Sequence, residues 1–199
     1  MRSRCSQVRK DDGFSLTELI VSLTLLGFVL ALGYSISQVV SIGQRNADRE
    51  SLVAREITYP LTRISEILIQ NHRVEASPAP TGMVLSVRTD QDLDNVQEQH
   101  NFQLVTAGGD TYIEQRVFLL NASGARVLPV RHVARWGTRV TNVDAGVSLF
   151  RYFDASGAPI TDMSRVSDTA RSVEITIRST VDGRVVQDSV RAAFRNRDS

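Results

Sequence analysis

The longest apolar stretch of the chain shows no amphipathic period. From Leu19 to Gln44 there is no charged residue, and Leu, Ile, Val, Phe, Ala and Gly dominate as far as Val40. About 20 such residues cross a bilayer as a helix, which predicts a transmembrane segment over about 16–42. Past Gln44 the pattern becomes periodic. Leu52, Ile57, Leu61, Ile64 and Leu68 recur every three to five residues, an apolar stripe for packing on a sheet. Arg45, Asp48, Arg49, Glu50, Arg55, Glu56, Arg63 and Glu66 fill the remaining positions and read as a solvated face. Pro60 lies inside this pattern; without an N–H, and in conflict with the preceding turn, it should kink the helix or end it early.

Asn71 to Gly82, with Pro78 and Pro80, marks a loop, after which the period changes to that of strands. Met83–Arg88, Asn101–Val105, Thr111–Leu120, Val127–Val133, Val147–Phe153, Val173–Thr180 and Val185–Phe194 are the expected strands. Gly108-Gly109-Asp110 and Val181-Asp182-Gly183-Arg184 read as tight hairpin turns, since Gly and Asp-Gly accept positive φ. The class is α+β: a long N-terminal helix, membrane-spanning in its first half, packed on a mainly antiparallel β-sheet head.

Charge orients this arrangement. Met1 to Gly13 holds Arg2, Arg4, Arg9 and Lys10 against Asp11 and Asp12, a net +2; the whole chain is +1, so the remainder carries −1. The positive-inside rule keeps the leader in the cytoplasm and sends the head across. The head has no strong basic field, which argues against nucleic acid as a bulk electrostatic partner. Cys5 is the sole cysteine, so the head folds without an internal disulfide, which a domain of this length can do. Lys10 is the sole lysine; arginine supplies nearly all the positive charge.

Ser15-Leu16-Thr17-Glu18 fits a capping box, in which Glu18 satisfies backbone donors at a helix start. A basic start, an apolar core and Ala31-Leu32-Gly33 also approximate a secretory signal, and the segment would serve as a plain anchor. Taken whole, however, Gly13-Phe14, Glu18 four residues on and an apolar helix behind a basic leader resemble the processing motif of type IV pilins and pseudopilins.

That resemblance implies a leader over 1–13, an N-terminal helix over 14–71 and a β-rich head over 72–199. It implies cleavage by prepilin peptidase between Gly13 and Phe14, N-methylation of Phe14, and Glu18 as the carboxylate that aligns each subunit with its neighbour. The partners implied are other pilin or pseudopilin subunits, the peptidase, an inner-membrane assembly platform, and membrane lipid before assembly. The location implied is the cytoplasmic membrane with the leader inside and the head outside, then a pilus or pseudopilus.

Leu149–Gly157, Ala170–Ile177 and Phe194-Arg195-Asn196 look like the closing strands of the larger minor pilins and of the J-type minor pseudopilin. The large head and the absence of Pro from the membrane segment point the same way, to a minor subunit at or near a filament tip. Asp11-Asp12 depart from the basic or polar residue usual beside the cleavage Gly. A type II secretion pseudopilin, a DNA-uptake pilus subunit and a non-polymerising membrane-anchored adhesin are the alternatives.

No catalytic constellation emerges, and the chain is not read as an enzyme. His72, His100 and His132 lie apart with no nucleophile nearby and read as surface or loop residues. There is no phosphate loop or zinc spacing, and no cofactor is expected. Asp90, Asp92 and Asp94 alternate as calcium ligands do, but Asn95 and Asn101 stand where a Gly and a closing Glu belong, so calcium is a weak candidate. Trp136, near Arg131, Arg135 and Arg139, reads first as half-buried packing and second as a stacking surface for a sugar, a base or a neighbouring subunit.

Overall fold

The computed structural model describes residues 15–70, 73–89 and 96–194. Its chain divides into two compact units, Met1–Ala47 and Asp48–Ser199. Helix α1 runs Leu16–Val53, followed by a π-helical turn Ala54–Thr58 and helix α2, Tyr59–Ile69. The strands are β1 (Arg73–Val74), β2 (Val84–Thr89), β3 (Glu98–Ala107), β4 (Asp110–Leu120), β5 (Arg126–Trp136), β6 (Phe150–Phe153), β7 (Ser172–Val181) and β8 (Arg184–Ala193). A 3₁₀ turn at Met163–Arg165 leads into α3, Val166–Thr169.

Of the two outcomes expected for Pro60, the early end of the helix is not met. The helix neither ends nor restarts at a loop; the turn before Pro60 widens, and the Tyr59 N–H bonds the Ala54 carbonyl five residues back. A widened turn relieves the crowding that a proline ring imposes on the carbonyl four residues earlier. Pro60 sits in the first turn of α2 within a continuous run of helical backbone, so its missing N–H leaves the preceding turn one helix bond short. Of the expected stripe, Ile57, Leu61, Ile64 and Leu68 are buried, joined by Ile67, while Leu52 is only partly buried.

Among the described residues of the second unit the eight strands pair antiparallel, as expected, but they divide into two sheets, β1-β2-β3-β4-β5 and β6-β7-β8. The π-helical turn and α2 pack on β7 and β8. Leu85, Val87, Phe102 and Ile113 from the larger sheet and Val173, Ile175 and Ile177 from the smaller one join the stripe in a single core. Buried Asn142 ties the connection between the sheets to β7, its amide donating to the Thr176 carbonyl (2.8 Å) and its side-chain oxygen accepting from the Arg178 N–H (2.8 Å).

Both hairpin turns form as predicted, Gly108-Gly109 between Ala107 and Asp110, and Asp182-Gly183 between Val181 and Arg184, all four at positive φ. The strand expected over Val147–Phe153 is shorter, because the Val147 N–H closes a turn onto the Asn142 carbonyl (2.9 Å). Arg73–Val74 pairs with β2 inside the expected loop. Pro129 is tolerated in β5 because that strand is an edge and its pairing with β4 slips near Val117.

Candidate functional site

The amino-terminal site starts at Ser15. Its hydroxyl accepts from the Glu18 N–H (3.2 Å), and the Glu18 carboxylate accepts from the Ser15 N–H (3.2 Å). This reciprocal pair is the capping box anticipated from the sequence, and it holds an exposed carboxylate at the first turn of α1. Gly13 and Phe14 lie outside the described residues.

Behind the cap no residue of α1 is buried. Leu19, Leu26, Phe28, Leu32, Ile36 and Val40 are more than half exposed around the whole circumference. A helix apolar on every side has nothing to gain from water and belongs in hydrocarbon or against like helices. The helix is long and apolar enough to cross a membrane.

Residues 8–34 match the family described as the prokaryotic N-terminal methylation motif. This is a type IV pilin-like amino terminus. It belongs to the class processed by prepilin peptidase, which deals in general with that enzyme and with other pilins, and with the apolar helix it fits a membrane-anchored protein. The pilin-like motif ends inside α1, so the match speaks for the amino terminus and not for the head. No curated protein and no solved structure matches the chain.

The second unit carries a distinct polar site. Antiparallel register places Val87, His100, Val117 and His132 in one cross-strand row and Phe102, Gln115 and Ala134 in the next. With Glu98 and Trp136 these residues line one face of the larger sheet, and Tyr59 and Arg63 of α2 complete a cleft of about 360 Å³. Its floor is polar and buried: Glu98, His100 and Gln115 are 6%, 1% and 5% exposed. Burying such groups costs free energy unless each is bonded. The Gln115 amide donates to His100 Nδ1 (2.6 Å), which leaves the proton on Nε2, 3.4 Å from a Glu98 oxygen. The other Glu98 oxygen accepts from Arg131.

His100 therefore corrects the expectation of a surface histidine. Burial, and then the nearby Arg63 guanidinium, hold its pKa down to about 4. Glu98 favours the charged ring, but its carboxylate is already committed to Arg131, so the ring stays neutral. His132 is exposed, as expected, and His72 lies outside the described residues. Trp136 packs half-buried with its ring 6.3 Å from that of Phe102, while Arg135 stacks over Tyr112 (4.7 Å).

Glu56 is a second correction, since it is buried rather than solvated. Its carboxylate accepts from the Thr138 hydroxyl (3.1 Å) and the Thr138 N–H, two residues past Trp136. Gly137 makes this approach possible: its φ is +65°, and a Cβ there would stand 3.1 Å from the Glu56 carbonyl. Tyr59 and Arg63 follow Glu56 by one and two helical turns, so this tie fixes the helical wall of the cleft against its sheet.

Sequence reasoning misplaced Glu56 on a solvated face and passed over Glu98 and Gln115. A signal existed for Glu98 and His100, which share strand parity with Phe102 and Leu104 and so interrupt an apolar face. Asp90, Asp92 and Asp94, the calcium candidates, lie outside the described residues; among those described, no group of three or more His, Cys, Asp or Glu could hold a metal ion.

Proposed function

We propose that the chain is a minor subunit of a type IV pilus, cleaved between Gly13 and Phe14, methylated at Phe14 and assembled into the filament or its tip through α1. The observation that carries this reading is an apolar helix, α1, with no buried residue, beginning inside a matched methylation motif. Such a helix is held by lipid before assembly and by neighbouring helices afterwards. Cleavage creates an α-amino cation, and exchange of the Glu18 carboxylate from its capping bond to a neighbour's new amino terminus sets the stagger. A charge pair in low dielectric is sensitive to a misplacement of one helical turn, which makes it a register device.

Intact mass and amino-terminal sequencing, with and without prepilin peptidase, test the processing step. A peptidase-dependent start at methylated Phe14 is expected; an unprocessed start, or one after Gly33, overturns it. Glu18→Ala should leave the chain membrane-bound and cleavable but reduce its incorporation into filaments at least tenfold, read by immunoblot of sheared filaments. Normal incorporation would remove the register role. The polar cleft favours a second reading, a membrane-anchored binding module that never polymerises, and that version predicts no dependence on Glu18.

A further inference from the structure

The cleft under α2 is more polar than packing requires. Residues whose row partners are Val87 and Val117 could be apolar, and replacing buried polar groups with hydrophobic ones of similar size is often neutral or stabilising. Instead the floor buries an acid, an imidazole and an amide. The Gln115 amide nitrogen is used by His100, while its carbonyl oxygen accepts no bond from a described residue. That oxygen is not among the fully buried unpaired atoms of the described residues, so it is open to the cleft, where a ligand hydroxyl can take the place of water.

The walls narrow the ligand class. Trp136 and Tyr59 present aromatic surface, Tyr59 being 58% exposed. Arg63 and Arg131 outnumber Glu98, so the lining is net positive. Arg131 is committed to Glu98, whereas among the described residues Arg63 forms an ion pair with Glu66 alone, on an exposed helix face (3.1 Å). Such a pair is worth little and is readily exchanged for a ligand carboxylate.

The floor is the face of a sheet and not its edge. β3 and β4, which carry the polar floor, are paired on both sides, so their backbone groups are spent in the ladder; β5, which lends Arg131, His132, Ala134 and Trp136 to the lining, is an edge strand, but Pro129 interrupts its row of backbone donors. What fits is a small, flat-faced ligand with hydroxyl groups and one negative charge.

We propose that this cleft binds the ring of an acidic saccharide, of the sialic or uronic type. The ring face lies on Trp136, its hydroxyls meet Gln115 and Glu98, and its carboxylate sits on Arg63. The Glu56–Thr138 tie holds the two walls in place before the ligand arrives, so less ordering is needed on binding.

Trp136 is the sole tryptophan, so its emission reports the site directly. The full chain in lipid nanodiscs is titrated with sialyllactose and with digalacturonate, alongside lactose and a tetra-alanine peptide. A saturable change in emission with at least one acidic saccharide is expected, with lactose and the peptide at least tenfold weaker. Arg63→Gln, a half-exposed position whose loss leaves the core intact, should weaken acidic-saccharide binding tenfold or more. The proposal is overturned if neither acidic saccharide changes the emission, if lactose or the peptide binds equally well, or if Arg63→Gln binds as tightly as the parent chain. Failure here leaves the processing and assembly steps untouched, since their readouts are at Phe14 and Glu18.

Discussion

Two stretches of helix in this protein break the same rule in opposite directions. α1 leaves Leu, Ile, Val and Phe exposed on every side, whereas the turn into α2 buries the Glu56 carboxylate and, across the cleft, Glu98 and His100 are sunk in a sheet face. In water both arrangements are unfavourable. The first is resolved by changing the solvent: hydrocarbon or neighbouring apolar helices take the place of water. The second is resolved within the head, by giving each polar group a partner. An exposed apolar face and a buried polar one are thus both marks of function, but only the first can be read without knowing what lies opposite.

Identical chemistry should have unlike effects in the two regions. The sharpest test is truncation: Ile64→Ala, at a fully buried position, should lower the unfolding free energy of the head by about 4 kcal/mol. Leu26→Ala should leave the same transition unchanged, as followed by denaturant unfolding in detergent through Trp136 emission. A loss with Leu26→Ala would overturn the assignment of that side chain to the surroundings of α1 and not to a folded core.

The reverse substitution comes next. Leu26→Arg should cost membrane insertion about 3 kcal/mol, detected as release on alkaline extraction, while Thr62→Arg on exposed α2 surface should insert normally.

Acid should separate the regions again. His100 in the folded head titrates at about 4 against an ordinary value near 6.5, so between these pH values the unfolded chain takes up the proton first. Its contribution is complete above pH 6.5 and is lost as pH falls to 4, by about 3 kcal/mol. His100→Gln should flatten that part of the stability curve relative to the parent; an unchanged slope would show that the ring is not held neutral by its site. α1 contains no histidine, so no imidazole titration of this kind arises from it.

The smallest effect concerns the tie between wall and sheet. Glu56→Ala leaves the Thr138 N–H without its carboxylate and should cost about 2 kcal/mol, with Glu56→Gln recovering part of it. Gly137→Ala should act in the same direction through its positive φ. Thermal melts of the three variants rank them.

Much of the fold was legible because it depends on local rules. An uncharged run of bilayer length, a stripe recurring every three to five residues, and Gly-Gly or Asp-Gly between strand-like runs each carry their meaning in the sequence. The Ser15–Glu18 cap was legible for the same reason, its partners being three residues apart. Pro60 was half legible: its inability to donate was certain, but whether the helix would end, bend or widen depended on what packs around it.

The cleft was not legible, because its residues come from four separate elements. His100 looks like any surface histidine until strand pairing sets it beside Gln115, fifteen positions away, and under Arg63. Glu56 looks solvated until Thr138, eighty-two positions away, reaches its carboxylate. The sequence by itself determined the apolar helix, its processing motif, the strands and their turns, since those follow from covalent neighbours and period. Only tertiary structure decided which polar groups are buried, which way His100 titrates and where a ligand could sit, because burial and charge proximity depend on through-space distances that chain order does not encode.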